Sequence, residues 1–422
     1  MSSDQPMLDV GSDTFTQDFL SSLLQENISP ELDAAIQKPL PESPNKSTCV
    51  VPNADAPDVS SELLQQPIAQ PGTIQQNHEN SVSSQESPGT GSPEAQRSGT
   101  PSSWDEGLKS SEKAEEKAED LIEGLSSLWT EKEEHIITKP FDYIKAFPSK
   151  NFRSQILSAL NIWLQVDSHS LSIIDRVVDL LHNASLLIDD IQDGSDLRRG
   201  SPAAHRVFGT AQSINAANYA YVLAQQEVLR LNNPLAMQVF VEELLNLHRG
   251  QGIELFWRDT LTVPSEEEYL LMVSNKTGGL FRLATGLMQA VSSTSYNVLP
   301  LVEMIGLIFQ VRDDHENLNS AQMTLAKGYC EDLTEGKFSM PVIHSIHNSP
   351  TSNNEILNIL KLRTTDVELK SHALRYMQAQ TNSLAYTKTR LSAFHRIAQV
   401  LLARIEPRNQ LLEILLRKLS LD

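Results

Sequence analysis

Three aspartates set the chemistry open to this chain. The stretch Leu186-Leu-Ile-Asp-Asp-Ile-Gln-Asp-Gly-Ser-Asp-Leu-Arg-Arg-Gly200 is an apolar run ending in Asp189, Asp190 and Asp193, with Arg198 and Arg199 close behind. Asp189 and Asp193 are four residues apart, so a helix places both carboxylates on one face. Two such carboxylates repel each other unless a cation lies between them. Hard oxygen donors at this spacing suit Mg²⁺, which combines a few carboxylates with water and phosphate oxygens. The arginines suit phosphate, because guanidinium forms bidentate charge-assisted hydrogen bonds. Taken alone, the stretch fits a solvated surface turn equally well.

A second acid-bearing run lies far downstream, in Gly306-Leu-Ile-Phe-Gln-Val-Arg-Asp-Asp-His-Glu-Asn-Leu318. Asp313, Asp314 and Asn317 repeat the i, i+1, i+4 spacing. Two helices facing each other with these ends would make an acidic, metal-filled mouth above an apolar interior. Such a mouth holds a diphosphate, and the interior accepts a hydrocarbon tail. Cations that could grip phosphate are Lys276, in Lys276-Thr277-Gly278-Gly279 at a helix break, Lys327 and Lys337 after the second run, and Lys150 and Arg153 at a helix start. His182 stands two turns before Asp189. Singly, each lysine fits a solvated surface and His182 fits a core or cap position. His315, beside the second run, reads as a surface histidine rather than a base.

Helices must position these groups. From Ile136 onward, apolar residues recur at three- and four-residue spacing, as in Ile156, Leu160, Leu164 and in Leu171, Ile174, Val177-Val178, Leu181. Strand-like alternation is scarce, and Gly and Pro fall mainly between the periodic segments. Residues 136–422 therefore read as one all-α domain, a large helical bundle with mostly antiparallel neighbours. Residues 1–110 are rich in Ser, Pro, Gln, Asn and Asp with few aromatics, and read as a disordered acidic tail. Ser110-Ser111 and the charged run after it predict a linker helix over residues 111–135.

The formal net charge is −20, and residues 1–128 hold 22 acidic against 6 basic residues, so the acidity belongs to the N-terminal part. No basic block favours nucleic acid. Cys49 and Cys330 lie far apart, which argues against a disulfide framework. The chain has no uninterrupted apolar run of transmembrane length, and its polar, acidic start is unlike a secretory or transit peptide. These features predict a cytoplasmic protein without a transmembrane segment.

The full set resembles the trans-isoprenyl diphosphate synthases, most closely the eukaryotic geranylgeranyl diphosphate synthases. The motifs that carry the resemblance are Asp189-Asp-Ile-Gln-Asp193, Arg198-Arg-Gly-Ser-Pro202, Gly250-Gln-Gly252 with Trp257-Arg-Asp259, Lys276-Thr-Gly-Gly-Leu-Phe281 and Asp313-Asp-His-Glu-Asn317. It covers about Lys139 to the C-terminus and has no counterpart for the first part of the chain. It implies an isoprenoid-synthase helical fold and a Mg²⁺-dependent prenyl transfer with about three ions per site. Asp189, Asp193 and Asp313 would be metal ligands, with Asp190, Asp314 and Asn317 as direct or water-mediated ligands. Arg198, Lys276, Thr277, Gln310, Lys327 and Lys337 would hold the allylic diphosphate. Lys150, Arg153, His182 and Arg199 would hold isopentenyl diphosphate. A homodimer or higher homo-oligomer is implied too. Departures are Ser149 for a glycine, Glu254 for an aspartate and Asn317 for an aspartate.

Ala184 and Ser185 precede the first motif where shorter-chain members place bulky aromatics. Small residues there leave room beyond fifteen carbons, which predicts a C20 product, with a farnesyl (C15) synthase as the alternative. A terpene cyclase would need a different second metal motif. A non-catalytic subunit would be expected to lose one acidic motif or the isopentenyl-site cations, and this chain keeps both. A prenyl-supplying part of a larger assembly, with the acidic tail as a tether, is a further alternative that the tail composition permits.

Overall fold

A computed structural model describes residues 103–126, 128–147, 152–320, 328–350 and 354–421. The tail assigned to residues 1–110 lies almost wholly outside the described residues, as do Lys150 and Lys327. The chain divides into two units, and α1 (Ser103–Ser126) belongs to a different one from every later helix. Leu121, Ile122 and Leu125 of α1 are exposed. The charged stretch is split between α1 and α2 (Glu131–Lys145). Thr130 caps α2 in a capping box with Glu133, which satisfies two amides at the helix start.

Among the described residues, the second unit is helical apart from one hairpin of two-residue strands. In chain order it continues with α3 (Phe152–Leu164), α4 (Ser168–Asp193), the hairpin β1 (Leu197–Arg198) and β2 (Ser201–Pro202), α5 (Ala204–Phe208), α6 (Thr210–Leu229) and α7 (Pro234–Thr260). Then come α8 (Glu266–Val273), a π-turn (Ser274–Gly278), α9 (Gly279–Val291) and α10 (Leu299–Asn319). The C-terminal part holds α11 (Glu331–Glu335), α12 (Met340–His347), α13 (Glu355–Leu362), α14 (Val367–Ala379), α15 (Ser383–Ala403) and α16 (Gln410–Lys418).

Two helices centre the bundle. α4 begins at Asp167, whose side chain accepts from the amides of His169 and Ser170. It buries Ile174, Val177, Leu181, Ala184 and Leu187 at three- and four-residue spacing, packing chiefly on α6. Truncating Leu187 to alanine would cost about 2–5 kcal/mol through the cavity it leaves. α4 stops at Gly194, which takes the left-handed conformation that closes the helix just after Asp193. The other central helix, α10, is buried almost all round and packs on α15, α9 and the π-turn. Both acid-bearing runs thus fall at helix C-terminal ends. That geometry lets an apolar run lie in the core while Asp189 and Asp313, at its end, stay partly exposed.

The hairpin was not foreseen from the sequence. Arg199 and Gly200 form its two-residue turn, both with positive φ (54° and 79°), the conformation such tight hairpins demand. Its effect is to send consecutive arginines in different directions.

Candidate active site

The five aspartates of the two motifs do not share one role. Asp189 and Asp193 project from the last turn of α4. Asp193 accepts from Lys337 at 2.6 Å and from Arg258 of α7 at 3.1 Å. Asp189 lies 3.5 Å from Nζ of Lys276 and accepts from Gln251 at 3.4 Å. Asp313 is half-buried at the end of α10. Asp190, only one residue from Asp189 and so about 100° round the helix, turns inward. It is 1% exposed and ion-paired with Arg198, whose Nε donates at 2.8 Å.

Asp314 and Asn317 are buried too, at 4% and 2% exposure. The Asp314 carboxylate accepts from the Tyr269 hydroxyl, from Gln310 Nε2 at 2.8 Å and from the Met340 amide at 2.9 Å. Asn317 Oδ1 accepts from the Asp332 amide at 3.2 Å. In this structure the two residues fasten the segment after α10, and the Lys337 amide in turn bonds the Asp332 carbonyl at 2.9 Å. The inner half of the second motif therefore presents Lys337 to the first. Burial holds the Asp314 carboxyl above the usual carboxylate range, against the pull of the hydrogen bonds from Tyr269 and Gln310. His315 is also buried, which corrects its reading as a surface histidine.

Lys276 and Thr277 come from the π-turn. Burial alone would lower the Lys276 pKa, but its ion pair with Glu254 and the nearby Asp189 more than offset that and hold it above the ordinary lysine value. Thr277 Oγ1 donates to Gln310 at 2.6 Å. Gly250 of α7 permits this approach: a Cβ there would stand 2.4 Å from the Lys276 nitrogen. Burial also raises the Asp193 carboxyl, helped by Asp189 and Glu335 and opposed by Lys337.

A basic group lies beside the mouth. Burial and the neighbouring Arg199 bring the Arg153 guanidinium down to about 10. Burial, then Arg153, Arg199 and Arg198, hold the His182 pKa well below its ordinary value, so its ring is neutral at pH 7. Arg199 Nη1 donates to the Phe147 carbonyl at 3.3 Å, while Arg198 is committed to Asp190 and lies 3.6 Å from Asp189. Cations crowded together in this way suit a polyanion of high charge density.

Arg153, His182, Asp189, Gln251, Lys276, Thr277 and Gln310 open onto one cavity of about 220 Å³. Leu181, Ser185, Leu244, Leu247, Leu280 and Phe309 line it as well. Ser185 is one turn before Asp189 on α4, and His248 is one turn before Gln251 on α7. Tyr221 of α6 lies against His248, with ring centroids 5.7 Å apart. The pair walls the cavity below the mouth. Neither ring stood out in the sequence; their only signal was being large and polar-tipped on otherwise small or aliphatic helix faces. Ala184 is not on this wall. It is fully buried in the core, because one residue along a helix turns the side chain away from Ser185.

The donors suit a hard divalent cation. Asp189, Asp193 and Asp313 offer carboxylate oxygens, and Lys337, Arg258 and Lys276 balance the first two. Among the described residues no three His, Cys, Asp or Glu side chains converge into a closed cage.

Sequence comparison with known proteins gives the family. The sequence profile for Polyprenyl synthetase matches residues 134–377. A geranylgeranyl pyrophosphate synthase of Hypoxylon pulicicidum is 55% identical over 274 residues, covering 65% of this chain and 71% of that protein. Geranylgeranyl pyrophosphate synthase 1 of Zymoseptoria tritici is 50% identical over 317 residues, 72% of this chain and 92% of its own length. A copalyl diphosphate synthase of Talaromyces verruculosus is 54% identical over 260 residues, which are 62% of this chain but only 27% of that protein. The matched span carries both acid-bearing helix ends, the π-turn lysine and Lys337, and the chain belongs to the polyprenyl synthetase family.

Proposed function

We propose that this protein joins isopentenyl diphosphate head to tail with allylic diphosphates (dimethylallyl, geranyl and farnesyl) and releases geranylgeranyl diphosphate. The observation that carries this reading is one cavity with a charged mouth and an apolar wall, flanked by a basic cluster. Lys276, Thr277, Gln310 and Lys337 grip the allylic diphosphate, with Lys327 completing the grip by resemblance. Arg153, His182 and Arg199 hold isopentenyl diphosphate, with Lys150 beside them by resemblance. Arg198 acts through its ion pair with Asp190, keeping Asp189 in place.

Asp189, Asp193 and Asp313 would hold Mg²⁺, about three ions by resemblance, and the metal supplies charge withdrawal from the leaving diphosphate. The lysines stabilise the same developing charge. The two basic sites keep the isopentenyl double bond close to the allylic carbon, so that orientation lowers the barrier. No protein nucleophile takes part, and the released proton can leave with the departing diphosphate. Leu244, Leu247, Leu280 and Phe309 exclude water from the reacting carbon, and Ser185 leaves room for the growing tail.

Residues 136–422 form the catalytic domain in this reading, and deleting residues 1–110 should leave condensation intact. The partner is a second copy of the chain. Ile214, Val222 and Leu229 recur at seven- and eight-residue spacing on α6 and are exposed, as are Val241, Leu245 and Phe256 on α7. No described helix is long and apolar enough to cross a membrane, and Cys330 is a free, buried thiol. A cytoplasmic site accords with both.

The test is incubation with Mg²⁺, isopentenyl diphosphate and each allylic primer, followed by measurement of product length. C20 is expected. Failure with every primer would sink the synthase reading; a C15 product would overturn only the reading of the cavity.

A further inference from the structure

Arg282 lies outside the mouth, yet it joins three helices where the helical hydrogen-bond ladder changes. It stands in the first turn of α9. Its Nε and Nη2 fork onto Glu243 of α7, each at 3.0 Å. Its Nη1 donates to the Ser274 carbonyl at 2.8 Å, to Ser274 Oγ at 3.0 Å and to Glu303 Oε2 of α10 at 2.7 Å. Ser274 is the first residue of the π-turn. A π-turn disturbs the regular ladder of amides and carbonyls, and buried carbonyls need partners. Arg282 supplies one from a side chain.

Two glycines press the same turn from other sides. A Cβ on Gly250 would meet the Lys276 backbone, and one on Gly306 of α10 would stand 2.8 Å from the Gly278 Cα. The turn is thus gripped by α7, by α10 and by the Arg282 fork. Only a planar guanidinium offers enough donors in fixed directions for two carboxylates, a carbonyl and a hydroxyl together. Lysine has a single nitrogen and cannot span them.

We propose that Arg282 is a positioning residue that fixes the π-turn and thereby aims Lys276 and Thr277 at the allylic diphosphate. The aim toward that substrate rests on the prenyl-transfer reading; the hold on the turn does not. The full-length Arg282→Lys protein tests both halves. Its KM for farnesyl diphosphate should rise about tenfold, the scale of hydrogen bonds lost to a charged group, while its KM for isopentenyl diphosphate stays unchanged. Amide exchange across residues 274–279 should quicken about tenfold or more, because a locally opened turn exchanges faster. Should that variant fail to fold, Glu243→Gln weakens the same fork and should move both readouts in the same direction by less.

Folded variants with unchanged exchange, or with both KM values raised equally, would overturn the proposal. A wild-type protein that condenses no primer would overturn the functional reading instead, and the exchange measurement would still decide whether Arg282 holds the turn.

Discussion

Nζ of Lys337 lies 2.6 Å from Oδ2 of Asp193, joining positions 144 residues apart. Glu335 lies 2.7 Å from the same ammonium, and Arg258 supports Asp193 from the other side. One lysine therefore closes the mouth between the first acidic motif and the segment that follows the second.

Replacing Lys337 with alanine would remove the ammonium shared by Asp193 and Glu335, leaving Asp193 to Arg258 and Glu335 to the Ser195 hydroxyl. Removing one partner of a buried pair costs about 3–5 kcal/mol, so Tm should drop clearly. Mg²⁺ should restore part of the loss by supplying the missing charge. Thermal melts with and without the ion check this, and a deficit indifferent to Mg²⁺ would speak against Asp193 as a metal ligand.

Chelation should separate folding from turnover. The carboxylates of Asp189 and Asp193 already have Lys276, Lys337 and Arg258 as partners. Stripping divalent ions should therefore abolish condensation while the far-UV dichroism stays unchanged. A protein that unfolds on chelation would contradict this charge balance.

Product length should follow the cavity wall. Ser185→Phe would fill the space one turn below Asp189 and shift the product from C20 to C15. Tyr221→Ala would open the wall shared with His248 and yield chains longer than C20. Chromatography of the dephosphorylated products reads both, and unchanged lengths would show that the wall lies elsewhere.

His182 gives the stability a pH slope. Its pKa is held well below the ordinary value in the folded chain by burial and by Arg153, Arg199 and Arg198, and returns to about 6.5 on unfolding. Below that pH the unfolded chain binds a proton that the folded chain refuses, so stability falls as pH falls, by at most about 1.4 kcal/mol per pH unit. Above it, this group contributes no slope. His182→Gln should flatten the decline between about pH 6.5 and 5 in thermal melts; an unchanged slope would place the cause in another group.

Much of this was legible in the sequence because it obeys simple periods. Apolar spacing gave the helices, and four-residue spacing put Asp189 and Asp193 together. What escaped was direction around the axis. Asp190, Asp314 and Ala184 each adjoin a cavity or mouth residue, and a step of one residue sends each inward. Asn317 escaped for another reason, since its amide is claimed by a backbone group fifteen residues later. Pairings across the fold escaped as well. Arg258 with Asp193, Glu254 with Lys276 and Tyr221 with His248 depend on how α4, α6, α7 and the π-turn pack, which no local pattern encodes. Lys150 and Lys327 lie outside the described residues, so their roles still rest on resemblance.

The spacing of the cavity-lining residues on α4 and α7 has a quantitative consequence. Ser185 and Leu181 mark successive turns on one helix, and His248 and Leu244 do so on the other. A helix advances about 5.4 Å per turn, close to what one five-carbon unit adds to an extended tail. On the prenyl-transfer reading proposed above, the cavity would act as a ruler graduated in helical turns, and single substitutions along it would change the product by one isoprene at a time without disturbing the charged end.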